Sequence, residues 1–160
     1  MNQSPKLDHV KRVLVLAGGG VRGVMQLETL RFLEKHFGKR INQIYDMIVG
    51  TSVGAISGGI LATGLLTMEE YSEKFLEFLP SIFKTHWWLA FGLFGTRYDR
   101  ENFFQMWRGF FGDRDLRMKD CKSKFVCTAV NLCDNKTYLF RSWDEKIQND
   151  SLPMTIAKSF

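Results

Sequence analysis

Continuous apolar runs and helically spaced apolar stripes alternate along the first part of this chain. Residues Val13 to Ala17 form an unbroken run rich in Val and Leu, the pattern of a short strand buried on both faces. Beyond a cluster of glycines, Val24, Leu27, Leu30, Phe32, Leu33 and Phe37 recur at helical spacing as far as Gly38, which predicts a helix closed by a glycine cap. Tyr45 to Val49 reads as a second strand, and Ser52 to Thr63 as a helix of small residues stopped by Gly64. Strand, helix, strand and helix in such quick succession predict a βαβα unit around a parallel sheet.

Thr67 followed by Glu70 has the spacing of a capping box and predicts a helix running to Leu79 and halting at Pro80. Residues 81–97 are aromatic and glycine-containing without a clean period, and Trp87, Trp88, Phe91 and Phe94 lie among them. Helical spacing resumes over Asp99 to Phe111 and stops at Gly112. Lys124 to Val130 and Thr137 to Phe140 read as two strands joined through the polar turn at 131–136. A last helix is predicted from Leu152 to Phe160, with Ser151 as its cap and Pro153 in the first turn. Residues 1–11 read as a polar extension and 12–160 as part of one α/β domain.

Two loops between these elements carry the chemistry. Gly50-Thr51-Ser52-Val53-Gly54 has the form of a nucleophile elbow, in which a serine sits on a sharp strand-to-helix turn. Flanking glycines relieve the crowding of such a turn, and the helix start favours developing negative charge. An ordinary βα turn with Ser52 as helix cap is the plain alternative. Gly18-Gly19-Gly20-Val21-Arg22-Gly23 is a glycine-rich turn able to direct backbone N–H groups at an anionic oxygen, with Gly19 and Gly20 the expected donors. Arg22 is read either as a phosphate or loop-supporting group or as a surface arginine. The same loop fits the dinucleotide-binding fingerprint, but that fingerprint wants an acid at the end of the second strand. Here Asp46 stands at the beginning of that strand and Gly50-Thr51-Ser52 at its end.

Composition changes this picture little. The 160 residues include 14 Phe and four Trp, which calls for a large aromatic core or an apolar surface that meets lipid. A net charge of +5 without any long block of like charges gives no reason to expect a nucleic-acid partner. Cys121, Cys127 and Cys133 lack metal-ligand spacing and read as buried thiols of a reducing compartment. The polar residues 1–12 lack a secretory h-region, and Trp87 to Phe94 is too short to span a bilayer. A cytoplasmic or peripheral-membrane location follows as the expectation, and the sequence is silent on oligomeric state.

Taken together, the two loops resemble the patatin-like phospholipase family, with Asp46-Met47-Ile48-Val49 similar to the strand that leads into that family's elbow. Phe125 to Asn131 with Thr137 to Phe140 looks like its paired central strands, and Met154 to Ser159 like the start of a later helix. The resemblance implies a three-layer α/β/α sandwich with a mainly parallel sheet, of which 12–160 would be the amino-terminal part. It also implies hydrolysis of lipid acyl esters by a serine–aspartate dyad, without histidine, metal or cofactor. On that reading Ser52 is the nucleophile, and Gly18, Gly19, Gly20, Arg22 and Gly23 form the oxyanion loop. Gly50, Thr51 and Gly54 then frame the elbow.

The resemblance implies an aspartate in an Asp-Gly-Gly or Asp-Gly-Ala motif, and no Asp-Gly pair occurs in these 160 residues. Asp99, Asp113, Asp115, Asp120 and Asp134 read as loop or turn residues, and His86, within Lys84-Thr85-His86-Trp87-Trp88, as a packing or interfacial residue. The expectation is therefore an incomplete enzyme whose base lies outside the chain, the alternative being a catalytically inactive lipid-binding module. Trp87, Trp88, Phe91 and Phe94 are expected to enter a bilayer interface, to line an acyl-chain pocket, or to be buried under further parts of the domain.

Overall fold

A computed structural model describes residues 11–82, 100–131 and 133–158. Its elements, in chain order, are β1 (Val13–Leu16), α1 (Val24–Phe37), α2 (Ile41–Ile44), β2 (Met47–Gly50), α3 (Val53–Thr63), α4 (Met68–Ile82), α5 (Arg100–Phe111), β3 (Lys124–Asn131), β4 (Lys136–Arg141) and α6 (Leu152–Ala157). The four strands form one sheet in the order β1-β2-β3-β4. The first three are parallel and β4 returns antiparallel to β3. This is an α/β fold with a mainly parallel sheet and packed helices, as the βαβα pattern predicts.

Helix α3 is the centre of the core, and every one of its residues is buried. An isolated helix this rich in glycine would be poor, since each glycine costs about 1 kcal/mol relative to alanine. Close packing compensates. A methyl on Gly58 would sit 3.1 Å from Ile48 and 3.2 Å from the Phe125 ring, and one on Gly59 would overlap Ile156 of α6. The helix thus lies against the face of the sheet that presents Leu16, Ile48, Phe125 and Cys127, all buried.

Around α3 the other helices are fixed by polar groups at their ends. The Glu34 carboxylate on α1 accepts from the Ile41 N–H at 2.9 Å and the Met68 N–H at 2.8 Å, so one side chain caps both α2 and α4. The capping box at the start of α4 forms as the spacing predicts. Glu70 accepts from the Thr67 N–H at 2.8 Å, and the Glu70 N–H donates to the Thr67 hydroxyl at 3.2 Å. Gly38 and Gly64 close α1 and α3 with φ of 61° and 63°, a left-handed conformation that favours glycine.

Several expectations need correction. Strand β1 is not buried on both faces: Val13 and Val15 are 43% and 70% exposed, because α3 covers only the Leu14/Leu16 face. Strand β2 begins at Met47, since Tyr45 ends the unforeseen short helix α2. Helix α4 runs past Pro80 to Ile82; Pro80 has no N–H to donate to the carbonyl of Leu76, and the helix ends two residues later. Ser151 occupies the cap position of α6, yet its side chain makes no capping hydrogen bond, and its carbonyl accepts from Thr155 instead. Cys127 is buried, but Cys133 is exposed in the β3–β4 turn and Cys121 is half-buried. His86, Trp87, Trp88, Phe91, Phe94 and Asp99 lie outside the described residues.

Candidate active site

The chain turns from β2 into α3 within two residues. The Thr51 carbonyl accepts from the Gly54 N–H at 2.9 Å, closing a β-turn whose first central residue is Ser52. Ser52 has φ 52° and ψ −124°. Glycine normally takes that position of a type II′ turn, and for a residue with a side chain it costs of order 1–3 kcal/mol. The conformation persists because the backbone on either side leaves no alternative. A methyl on Gly50 would overlap the Gly54 carbonyl, and one on Gly54 would overlap the Leu16 carbonyl at the exit of β1. The Ser52 carbonyl accepts from Ala55 at 2.7 Å and Ile56 at 3.1 Å, opening α3.

Ser52 stands at the cap position of α3, but its hydroxyl makes no capping hydrogen bond. This separates it from a plain N-cap serine, whose oxygen accepts from the first helical turn. The side chain is half-buried and stands at the positive end of a fully buried helix.

The glycine loop is pressed onto this turn. A methyl on Gly18 would lie 3.2 Å from the Thr51 carbonyl oxygen and 3.4 Å from the Ser52 Cβ. One on Gly23 would come within 2.8 Å of Val53, the first residue of α3. Gly19 and Gly20 have φ of 145° and 58°, outside the range comfortable for side-chain-bearing residues. From Gly20 to Gly23 the loop winds into a 3₁₀ turn, held by the Arg22 N–H donating to the Gly19 carbonyl at 3.2 Å. Arg22 is exposed and its guanidinium stem folds back beside Gly19. The structure therefore brings together Gly18, Gly19, Gly20, Arg22 and Gly23 with Gly50, Thr51, Ser52 and Gly54.

Two residues that the sequence did not single out complete the surroundings. Gln26, in the first turn of α1, donates from Nε2 to the Ala17 carbonyl at 2.9 Å and so fixes the entry to the glycine loop. Thr128, on β3, places its hydroxyl 2.7 Å from that of Thr51. Helical spacing from the loop points to Gln26, whereas Thr128 is found only once β3 is known to be the parallel neighbour of β2.

Among the described residues, Asp46, Asp115, Asp120 and Asp134 have other surroundings. Asp46 is at the opposite end of β2, where it accepts from the Arg12 N–H at 2.8 Å; that hydrogen bond, helped by the charge of Lys11, holds its carboxyl below the usual range. It has no place near the glycine loop, which removes the acid a dinucleotide site requires. Asp134 accepts from the Lys136 N–H and the Tyr138 hydroxyl, both at 3.1 Å, within the hairpin turn. Asp115 pairs with the Arg117 guanidinium, and Asp120 accepts from the Arg117 N–H. Burial pushes the thiols of Cys121 and Cys127 up to about 12, so neither offers a thiolate near neutral pH.

The family model for "Patatin-like phospholipase" matches residues 14–156. The chain is 30% identical to "Patatin-like protein 2" of Oryza sativa subsp. indica over 164 aligned positions, covering 91% of this chain and 40% of the rice protein. Over 72 residues, 45% of this chain and 9% of the relative, it is 39% identical to "Calcium-independent phospholipase A2-gamma" of Oryctolagus cuniculus. Among solved structures, a chain in the SpcU–ExoU complex of Pseudomonas aeruginosa superimposes with a TM-score of 0.62 at 13% identity, covering 93% of this chain and 38% of the other. This likeness is one of fold. The chain thus spans about two-fifths of the rice relative's length and belongs to the patatin-like phospholipase family.

Proposed function

We propose that this chain carries the nucleophile and oxyanion elements of a lipid acyl hydrolase. The observation that carries the reading is the strained turn at Ser52 lying against Gly18. A serine in this unfavourable conformation, with its hydroxyl uncommitted to helix capping, is the arrangement of an activated alcohol nucleophile. The ester substrate class is supported by relatives described as phospholipases. The element order supports residues 12–160 as the amino-terminal part of the catalytic domain, with 1–11 a polar extension.

In the reaction, a base outside this chain removes the Ser52 proton as Oγ attacks the ester carbonyl. The carbonyl π pair moves onto oxygen, and backbone N–H groups of Gly19 and Gly20 stabilise that oxyanion. One such donor typically contributes about 3 kcal/mol to the barrier. Collapse expels the alcohol, which takes the proton, and water then hydrolyses the acyl-serine. An aspartate serves as the base, and neither metal nor cofactor enters the scheme. Contact with a membrane surface through Trp87, Trp88, Phe91 and Phe94 belongs to the same proposal, with the protein cytoplasmic or peripheral.

Fluorophosphonate labelling of a longer protein that includes the proposed aspartate base, together with its hydrolysis of a phospholipid ester in vesicles, tests this reading. Wild type is expected to label at Ser52 and hydrolyse, and Ser52→Ala to lose both. Hydrolysis retained by Ser52→Ala would overturn the assignment. A wild-type chain that binds vesicles but neither labels nor hydrolyses would instead be an inactive lipid-binding module.

A further inference from the structure

Strands β2 and β3 run parallel with Gly50 opposite Cys127. The next residue on each, Thr51 and Thr128, therefore emerge side by side where the ladder ends, and their hydroxyls lie 2.7 Å apart. We propose that Thr128 is a positioning residue of the elbow, acting through Thr51 on the orientation of Ser52. The inference rests on Ser52 being the nucleophile.

Thr51 is gripped from three directions. Its N–H donates to the Leu16 carbonyl of β1 at 3.3 Å, its carbonyl accepts from Gly54 of α3 at 2.9 Å, and its side chain is held by Thr128 of β3. The peptide joining Thr51 to Ser52 has its carbonyl and its preceding Cα substituent both fixed, so rotation about the Thr51 ψ is resisted from both ends. Ser52 needs such restraint, because a backbone in an unfavourable region holds only where its surroundings over-determine it. Without the side-chain tie to β3, Thr51 remains in place through its backbone but turns more freely. The nucleophile then spends less time aligned with the carbonyl it attacks, and an error of a fraction of an ångström there lowers the rate without weakening substrate binding. Thr128 bonds to Thr51 and not to Ser52, so its effect is transmitted through Thr51.

Valine at 128 keeps the shape and removes the hydroxyl, whereas serine keeps the hydroxyl. In the same longer protein, Thr128→Val is expected to lower kcat and the fluorophosphonate labelling rate by about three- to tenfold with KM unchanged. Thr128→Ser is expected to stay within about twofold of wild type, because a hydroxyl in that place restores the bond. Thr51→Val should cost a similar amount, and the double variant should be no slower than the slower single, as required of two groups acting through one bond. Should Thr128→Val fail to accumulate, the exposed Thr51→Val carries the same comparison.

Wild-type rates in Thr128→Val, additive losses in the double variant, or a Thr128→Ser as slow as the valine would overturn the proposal. Loss of activity in Ser52→Ala alongside a normal Thr128→Val would remove Thr128 alone. An active Ser52→Ala, or a wild type that neither labels nor hydrolyses, would remove the nucleophile reading as well.

Discussion

The hydroxyl of Ser57 on α3 lies 2.7 Å from the hydroxyl of Tyr71 on α4, with both side chains in the interior. Ser57 donates its single proton to the Val53 carbonyl at 3.1 Å, so Tyr71 is the donor in the shared bond. Burial raises the Tyr71 pKa, which keeps the phenol protonated and able to donate. The pair fixes α4 against the second turn of the helix that follows Ser52.

That assignment makes the two truncations unequal. Tyr71→Phe removes the donor and leaves Ser57 still bonded to Val53, at a cost of about 1 kcal/mol. Ser57→Ala strands the tyrosine hydroxyl in a dry core and is expected to cost about 2–3 kcal/mol. Urea denaturation of the two variants checks the order; a larger loss for Tyr71→Phe would reverse the donor assignment.

Ser52 stores backbone strain, and glycine at that position would release it. Ser52→Gly is expected to be more stable than Ser52→Ala by about 1 kcal/mol, the relief of strain exceeding the extra freedom glycine gains when unfolded. Neither variant should hydrolyse ester. Thermal melting compares them, and equal midpoints would show that the turn accommodates a side chain without strain.

Glycines in this chain have two different jobs. Gly38 has φ 61° with open space around it, so Gly38→Ala meets only conformational strain of about 1–2 kcal/mol. Gly54 faces the Leu16 and Ala17 carbonyls, and a methyl there would drive backbone into backbone. Gly54→Ala is expected to cost more than about 3 kcal/mol, or to prevent folding. Soluble yield and denaturation midpoints distinguish these outcomes.

Acid should weaken the start of α4. The Thr67 N–H and hydroxyl both donate to Glu70 and hold its carboxyl below the ordinary value of 4.5. A depressed folded pKa gives stabilisation that is complete above the unfolded value and lost as pH falls through the folded one. The stability gap between wild type and Glu70→Gln is therefore expected to be largest above pH 4.5 and to close below it. Denaturation across that range tests the sign; a gap that widens in acid would contradict it.

Local punctuation made much of this architecture readable. Gly38 and Gly64 end their helices because their φ is open to glycine, and Thr67 with Glu70 announces α4 through a bond confined to one turn. The elbow and the glycine loop were legible for the same reason, since each is a short run with its own steric demand. What escaped depends on neighbours distant in the chain. The exposure of Val15 follows from α3 covering the opposite face of the sheet, and the bond between Thr51 and Thr128 from a strand pairing 77 residues away. Helix α2 escaped because it is four residues long and leans on Gln43 and Glu34 rather than on periodicity.

The contact between Gly18 and the Thr51–Ser52 turn also guards the alignment of the sheet. Hydrophobic patterning does not fix the register of β1 along β2, because Val13, Leu14, Val15 and Leu16 make both of its faces apolar. Advancing β1 by two residues would carry Leu16 into the place of Gly18, where even a methyl stands 3.2 Å from the Thr51 carbonyl. The turn that carries Ser52 thus proofreads the strand register, and a chain misaligned in that direction would fail at that turn before it could bury its core.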